Sequence, residues 1–162
     1  MRIALITPYL ARARNGNAHT AARWARCLRA SGHRVQVMVE WDGRAADLMI
    51  ALHARRSAAS IHRFAEARPD KPLIVVLTGT DLYRDIRDDA EAQRSLQLAT
   101  RLVVLQERGL DELAPESRSK TAVIYQSALP IKPAARPKRH FDVCVVAHLR
   151  EEKDPLRAAY AS

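Results

Sequence analysis

The strongest constraint on this chain is a series of short apolar runs, each too brief for a helix, each followed by a polar loop and then a segment of helical period. Leu73 to Leu77 is the clearest, an unbroken apolar run between Pro72 and the Thr78-Gly79-Thr80-Asp81 loop. Runs of this kind, without polar alternation, mark strands buried on both faces of a parallel sheet, because helices cover both sides of such a sheet. Ile3 to Ile6, Val35 to Val39, Leu48 to Leu52, Leu102 to Leu105 and Ala122 to Tyr125 are read as its other strands. Between them, Thr20 to Ala30 sets Trp24, Cys27 and Leu28 at helical spacing, and Gly32 suits the left-handed position past that helix's end. Ile61, Phe64 and Ala65 mark the buried stripe of a second helix, stopped by Arg68-Pro69. Arg84 with Asp88 and Arg87 with Glu91 have the spacing of exposed ion pairs on a further helix that leads to Leu96 and Leu98, and Gly109 to Leu113 reads as a short one. Strand and helix alternate throughout. That order predicts an α/β fold, a Rossmann-like open parallel sheet with helices on both faces.

The composition changes after Tyr125. Pro130, Lys132, Pro133, Arg136, Pro137 and Lys138 form a basic, proline-rich stretch without apolar period, which reads as a linker over residues 129–140. Residues 1–128 then form one α/β domain, and residues 141–162 the start of a second, with a strand at Phe141 to Val146 and a helix opening near Asp154-Pro155. A strand and part of one helix bury no core of their own. A length of 162 residues suits this reading of one domain and a stub.

The 27 Lys and Arg against 18 Asp and Glu leave a net charge of +9, which favours anionic partners such as phosphates, sugar nucleotides or nucleic acid. The arginines are scattered rather than gathered in a tail, and aromatic residues are only 5% of the chain, so a nucleic-acid surface with stacking rings is the least favoured of these. Two cysteines, Cys27 and Cys144, sit in apolar patterns expected to bury them, with no pair or neighbouring histidine of metal-ligand spacing. No metal and no resident cofactor are expected. The absence of a run approaching the ~20 apolar residues that span a bilayer predicts no transmembrane segment, and the cysteine usage fits a reducing, cytoplasmic setting.

In an open parallel sheet, ligands bind beyond the carboxyl ends of the strands, so the exit loops are where chemistry is sought. The loop after the first strand carries Asn15, Gly16, Asn17 and Thr20, which either present amides and hydroxyls to a ligand or form an ordinary turn with a helix cap. His53-Ala54-Arg55-Arg56-Ser57 leaves the third strand and opens a helix. It concentrates backbone N–H groups, the positive helix end and two guanidinium groups, an oxyanion or phosphate site unless the arginines are simply solvated. In Thr78-Gly79-Thr80-Asp81, Gly79 permits a sharp turn, and Asp81 is either an acceptor or base for a hydroxyl or the cap of the next helix. His148-Leu149-Arg150-Glu151-Glu152-Lys153-Asp154 follows the last strand, either as a diphosphate clamp or as a solvated mixed-charge loop. No carboxylate pair, Ser-His-Asp order or metal-ligand cluster stands out.

Three stretches, Trp41-Asp42-Gly43, Leu52-His53-Ala54-Arg55-Arg56-Ser57-Ala58 and Leu77-Thr78-Gly79-Thr80-Asp81-Leu82-Tyr83-Arg84-Asp85, taken with Val-Ile-Tyr-Gln-Ser at 123–127 and His-Leu-Arg-Glu-Glu-Lys-Asp-Pro-Leu at 148–156, resemble the selenosugar synthase (SenB) family of selenoneine biosynthesis, a branch of the GT-B glycosyltransferases. The resemblance covers essentially the whole chain, and the chain spans about the first half of what such an enzyme needs. It implies a GT-B N-terminal, acceptor-side domain at 1–128 and the opening of the nucleotide-binding domain at 141–162. The implied reaction moves a sugar from a UDP-sugar, UDP-N-acetylglucosamine or UDP-glucose, to selenophosphate, with no resident cofactor. The implied acceptor cradle is Asn15, Gly16, Asn17, Thr20, Arg55, Arg56, Thr78, Gly79 and Thr80, with His53 and Asp81 as catalytic groups. Related retaining transferases open their second half with Gly-Arg-Leu and then Lys-Gly. Here Lys153 matches and His148 stands at the arginine position, so the donor diphosphate is assigned to His148, Arg150 and Lys153. Such a half is expected to lack activity alone. Two rival readings are a GT-B transferase acting on a glycan or lipid, and a non-enzymatic basic module that binds anions or nucleic acid.

Overall fold

A computed structural model describes residues 1–10, 15–128, 130–133, 139, 144–146 and 154–160. The chain divides into two compact units, Met1–Ser127 and Ala128–Ser162. In the first, β1 (Arg2–Ile6), β2 (Arg34–Met38), β3 (Leu48–Leu52), β4 (Leu73–Leu77), β5 (Arg101–Val104) and β6 (Thr121–Val123) form one sheet in the order β2-β1-β3-β4-β5-β6. Every neighbouring pair is parallel. This is the open parallel α/β sheet expected from the unbroken apolar runs.

Alternate residues of each strand feed two cores. Ile3, Leu5, Ile50, Leu52, Val76 and Val103 pack with Ala21 and Ala25 of α1 (Gly16–Ala30). Ala4, Ile6, Met49, Ala51, Val75, Leu77, Leu102 and Val104 pack with Ile61 and Phe64 of α2 (Ala58–Ala67) and with Ala92 and Leu96. Burial on both faces is why these strands carry no polar alternation. Trp41 closes the second core, its ring edge-on to Phe64 at 5.2 Å between centroids. At the opposite end of the sheet from the exit loops, Asp47 accepts from the Arg2 amide at 2.8 Å and from its guanidinium at 2.8 Å, which ties β1 to β3 and draws the Asp47 carboxyl down to about 2.

Local departures have local causes. α1 starts at Gly16 rather than Thr20 because Asn15 Oδ1 accepts from the Ala18 amide at 3.0 Å and caps the first turn. It ends as expected: Gly32 has φ +83°, and the Gly32 and His33 amides return to the Arg29 and Leu28 carbonyls at 3.0 and 3.1 Å. Cys27 is exposed, because the buried stripe of α1 runs through Ala18, Ala21 and Ala25, with Trp24 and Leu28 packed beside it. Cys144 is exposed too.

The charged helix expected through residues 84–98 is broken. A π-helical turn at Asp81–Asp85 runs into α3 (Ile86–Asp88), and the chain then turns extended at Asp89, whose side chain caps α4 (Ala90–Leu98) through the Ala92 amide at 2.8 Å. The Arg84–Asp88 and Arg87–Glu91 pairs therefore do not form; Arg84 reaches Asp85 at 3.2 Å and Arg87 reaches Glu112. The short helix expected at Gly109 to Leu113 is a 3-10 turn at Glu107–Leu110 followed by α5 (Pro115–Arg118). Gly109 is needed there, since a Cβ would lie 2.9 Å from that of Val104. β6 ends at Val123, so Ile124 and Tyr125 belong to its exit loop.

In the second unit, residues 144–146 are not in a strand, and the rest of the strand expected at 141–146 lies outside the described residues. The helix expected near Asp154-Pro155 is α6 (Arg157–Tyr160). None of this unit's described residues is buried; Ile131, Val146 and Tyr160 are 87%, 90% and 81% exposed.

Candidate functional site at the carboxyl rim of the sheet

The strand order places the direction reversal between β1 and β3: the chain leaves β1 for β2 on one side and then crosses to β3 on the other. In sheets of this topology the exit loops part at the reversal, and ligands bind in the crevice beyond the carboxyl ends of the strands. His53 is the first residue after β3. It has φ +74°, a left-handed conformation uncommon for a side-chain-bearing residue, and is 3% exposed. Its backbone amide extends the ladder to Val76 O at 2.9 Å. Its Nδ1 accepts from the Arg56 amide at 3.3 Å, so the ring hydrogen sits on Nε2, which donates to Thr80 Oγ1 at 3.2 Å. Burial, chiefly, with the Arg56 and Arg55 charges adding, outweighs the pull of Asp81 and Asp85 and holds the imidazole below its ordinary value near 6.5.

Asp81 is fully buried. Its Oδ1 accepts from the Thr78 and Gly79 amides at 3.0 and 2.9 Å and its Oδ2 from the Ala54 amide at 3.0 Å, which ties the exit loops of β3 and β4 together. Gly79, at φ +157°, makes the turn that presents those amides. Four of the amide groups leading into α2 are engaged in the same way. Ala54 donates to Asp81, Arg56 to the His53 ring, and Ser57 and Ala58 to carbonyls, at 3.0 to 3.3 Å. The cationic side chains at this corner are those of Arg55 and Arg56.

Those side chains diverge. Arg55 turns toward the α3 side, with Nε 3.2 Å from Asp85 Oδ2 and Nη1 4.0 Å from Asp89. Asp85 is buried, its Oδ2 forms no hydrogen bond, and the His53 Nε2 lies 3.9 Å away. Arg56 turns the other way, across the reversal point. Its guanidinium lies over the Tyr9 ring at 5.4 Å from the centroid, and Nη1 donates to the Tyr9 hydroxyl. Arg56 and Tyr9 are both exposed.

The loop before α1 contributes less than its residue types suggest. Asn15 is committed as a cap, Gly16 is the first helical residue, and Thr20 is buried, donating to Gly16 O at 2.9 Å and accepting from Gln126 Nε2 at 2.8 Å. Asn17 is partly exposed in the first turn. Next to it, Thr7, Tyr9, Leu10, Ala18, Ala22 and Arg26 help line a groove of about 520 Å³. Thr78 and Thr80 are partly buried at the β4 exit, the latter engaged by His53. His148, Arg150 and Lys153 lie outside the described residues.

The rim thus brings His53, Thr78, Gly79, Thr80 and Asp81 together, sets Arg56 over the crevice, and draws Arg55 aside. Three contributors were not picked out from the sequence. Asp85 follows Asp81 by four residues, a spacing that signals a shared face only if the segment is read as helical. Tyr9 is an aromatic at a strand exit, and Gln126 carries no local signal. Among the described residues no group of three or more His, Cys, Asp or Glu is placed to hold a metal ion, and no helix is long and apolar enough to cross a membrane. Compared with known proteins, the chain matches no family model and no curated protein.

Proposed function

We propose that this chain is the acceptor-side half of a GT-B glycosyltransferase that presents selenophosphate to the anomeric carbon of a UDP-sugar. The reading is carried by the Arg56–Tyr9 pair, an exposed guanidinium held across the β1/β3 reversal by an aromatic ring, a cation suited to a small phosphorylated nucleophile. The resemblance to selenosugar synthases supplies the substrate class. In the reaction a C–Se bond forms as the C–O bond to UDP breaks, and the electron pair departs with the diphosphate. A selenium nucleophile needs little base assistance, which suits a rim whose fully buried carboxylate, Asp81, is spent on backbone amides.

In this reading Arg56 is the main acceptor contact, while Arg55 is held away from it by Asp85 and Asp89. His53 and Asp81 are positioning residues that fix the backbone from which Arg56 projects. The donor-diphosphate clamp of His148, Arg150 and Lys153 belongs to the second unit. The test uses protein expressed from its complete reading frame, mixed with selenophosphate and UDP-N-acetylglucosamine or UDP-glucose. UDP release that requires selenophosphate is the expected result, and an Arg56→Ala change should remove most of it. Release only with a glycan or lipid acceptor would replace selenophosphate with an ordinary GT-B acceptor. No release, with DNA affinity that falls steeply with salt, would replace the transferase with a basic binding module.

A further inference from the structure

Three of the four tyrosines, Tyr9, Tyr83 and Tyr125, stand at the carboxyl rim, and two of them lie away from the arginine crevice. Tyr83 follows β4 and Tyr125 follows β6; they are 46% and 58% exposed, although large rings usually gain by burial. The exit of β5 joins them. Gln106 Nε2 donates to the Tyr83 hydroxyl at 2.6 Å while its Oε1 accepts from the Arg108 amide at 2.9 Å, so the side-chain amide is held in one orientation. The next residue, Glu107, accepts from the Tyr125 hydroxyl. The result is a continuous line of ring, amide, carboxylate and ring along the exits of β4, β5 and β6. The nearby arginines are engaged elsewhere, Arg84 with Asp85 and Arg108 with Asp111 at 3.4 Å.

This chemistry differs from that of the crevice. Glu107, a carboxylate with no guanidinium paired to it among the described residues, repels phosphate. Open tyrosine surface beside a fixed amide and carboxylate offers what a sugar ring asks for, an apolar platform for its C–H groups with both donors and acceptors for its hydroxyls. We propose that Tyr83, Gln106, Glu107 and Tyr125 form a binding platform for a neutral pyranose. The platform rests on the transferase reading for its biological use, giving the transferred sugar a place on the acceptor-side unit while Arg56 takes the anion. Its binding chemistry stands separately.

Saturation-transfer NMR on the full chain, with free N-acetylglucosamine and free glucose as probes and no phosphate present, tests the platform. Transfer to ring protons of at least one sugar is expected. It should fall on the order of fivefold or more in a Tyr83→Ala, Tyr125→Ala double variant, and should persist in Arg94→Ala on the exposed side of α4. Glu107→Gln, an exposed and nearly isosteric change, should lower it severalfold with the circular dichroism unchanged, and carries the test if the double variant does not fold. No transfer from the wild type, transfer indifferent to these variants, or transfer to choline in place of the sugars would overturn the platform. Sugar binding here with no UDP release from the complete protein would defeat the transferase reading and leave the platform. UDP release without sugar binding at these residues would do the opposite.

Discussion

Two neighbouring parts of the rim use the same kinds of residue for opposite ends. At the exits of β3 and β4, His53, Thr80 and Asp81 are turned inward, and their polar atoms are engaged by backbone amides and by one another. At the reversal point, the exposed side chains of Arg56 and Tyr9 engage each other. Both parts hold the residue types that chemistry uses. The difference is burial: a charge taken out of water has to find partners within the protein, and backbone amides are the nearest available. Once Asp81 has accepted three of them, it is architecture. The crevice then depends on that architecture, because the Arg56 amide is held by the ring that the clamp encloses.

The comparison breaks most easily at Asp81. Replacing it with alanine strips the acceptor from the amides of Ala54, Thr78 and Gly79 in one step, and two loops lose their link. The expected cost is about 3 kcal/mol or more, read as a lower midpoint in urea. Asp81→Asn, which keeps one acceptor oxygen, should cost roughly half as much. A loss below about 1 kcal/mol for the alanine variant would show that the carboxylate is not structural and return it to the list of candidate bases.

His53 gives a smaller effect with a definite sign. Its folded-state value lies below the ordinary 6.5, so below that pH the unfolded chain takes up a proton that the folded chain refuses. Protonation would also set a second donor against the Arg56 amide. Stability should therefore be full above pH 6.5 and decline as pH falls through the interval down to the folded value, with a slope no steeper than about 1.4 kcal/mol per pH unit. His53→Asn keeps a residue that tolerates the left-handed φ and should remove that slope. Denaturation curves between pH 7.5 and 5.5 for the two proteins would decide; parallel pH dependence would mean the ring does not couple to folding.

Much of this was legible from residues alone. Apolar runs, interrupted only by Gln36 in β2, located every strand of the sheet, and Gly32 marked the end of α1. The errors have a common source. The helix expected across 84–98 rested on ion-pair spacing, a few tenths of a kcal/mol per pair. Asp89 capping α4 and the turn built around Asp81 each outweigh that, and neither shows in a periodic pattern. Cys27 was misjudged because a helix's buried face is set by what it packs on, and α1 lays alanines against the sheet. At the rim, the position of each loop follows from the strand ends, but side-chain direction is decided by partners distant in the chain. Asp85 drew Arg55 aside, and Tyr9 and Gln126 captured Arg56 and Thr20.

Arg56 should show the smallest effect on stability and the largest on ligand binding. An exposed arginine whose side chain, among the described residues, meets one ring and its hydroxyl contributes within about 0.5 kcal/mol to folding, so Arg56→Ala should unfold at nearly the wild-type urea concentration. A guanidinium that receives a phosphate-like anion contributes a charge-assisted hydrogen bond of about 1.5 kcal/mol or more, so the same change should weaken binding of inorganic thiophosphate, followed by phosphorus NMR, about tenfold. Arg56→Lys should fall between, keeping the charge but losing the planar fork and its fit over Tyr9. The two readouts together separate architecture from chemistry. If Arg56→Ala destabilised the fold as much as Asp81→Ala, the Tyr9 contact would be another strut and the rim would have no open cation at its reversal point. If stability held and thiophosphate binding fell, the inward clamp would be what makes the outward arginine usable, since the backbone that carries Arg56 is fixed by residues that never meet the ligand.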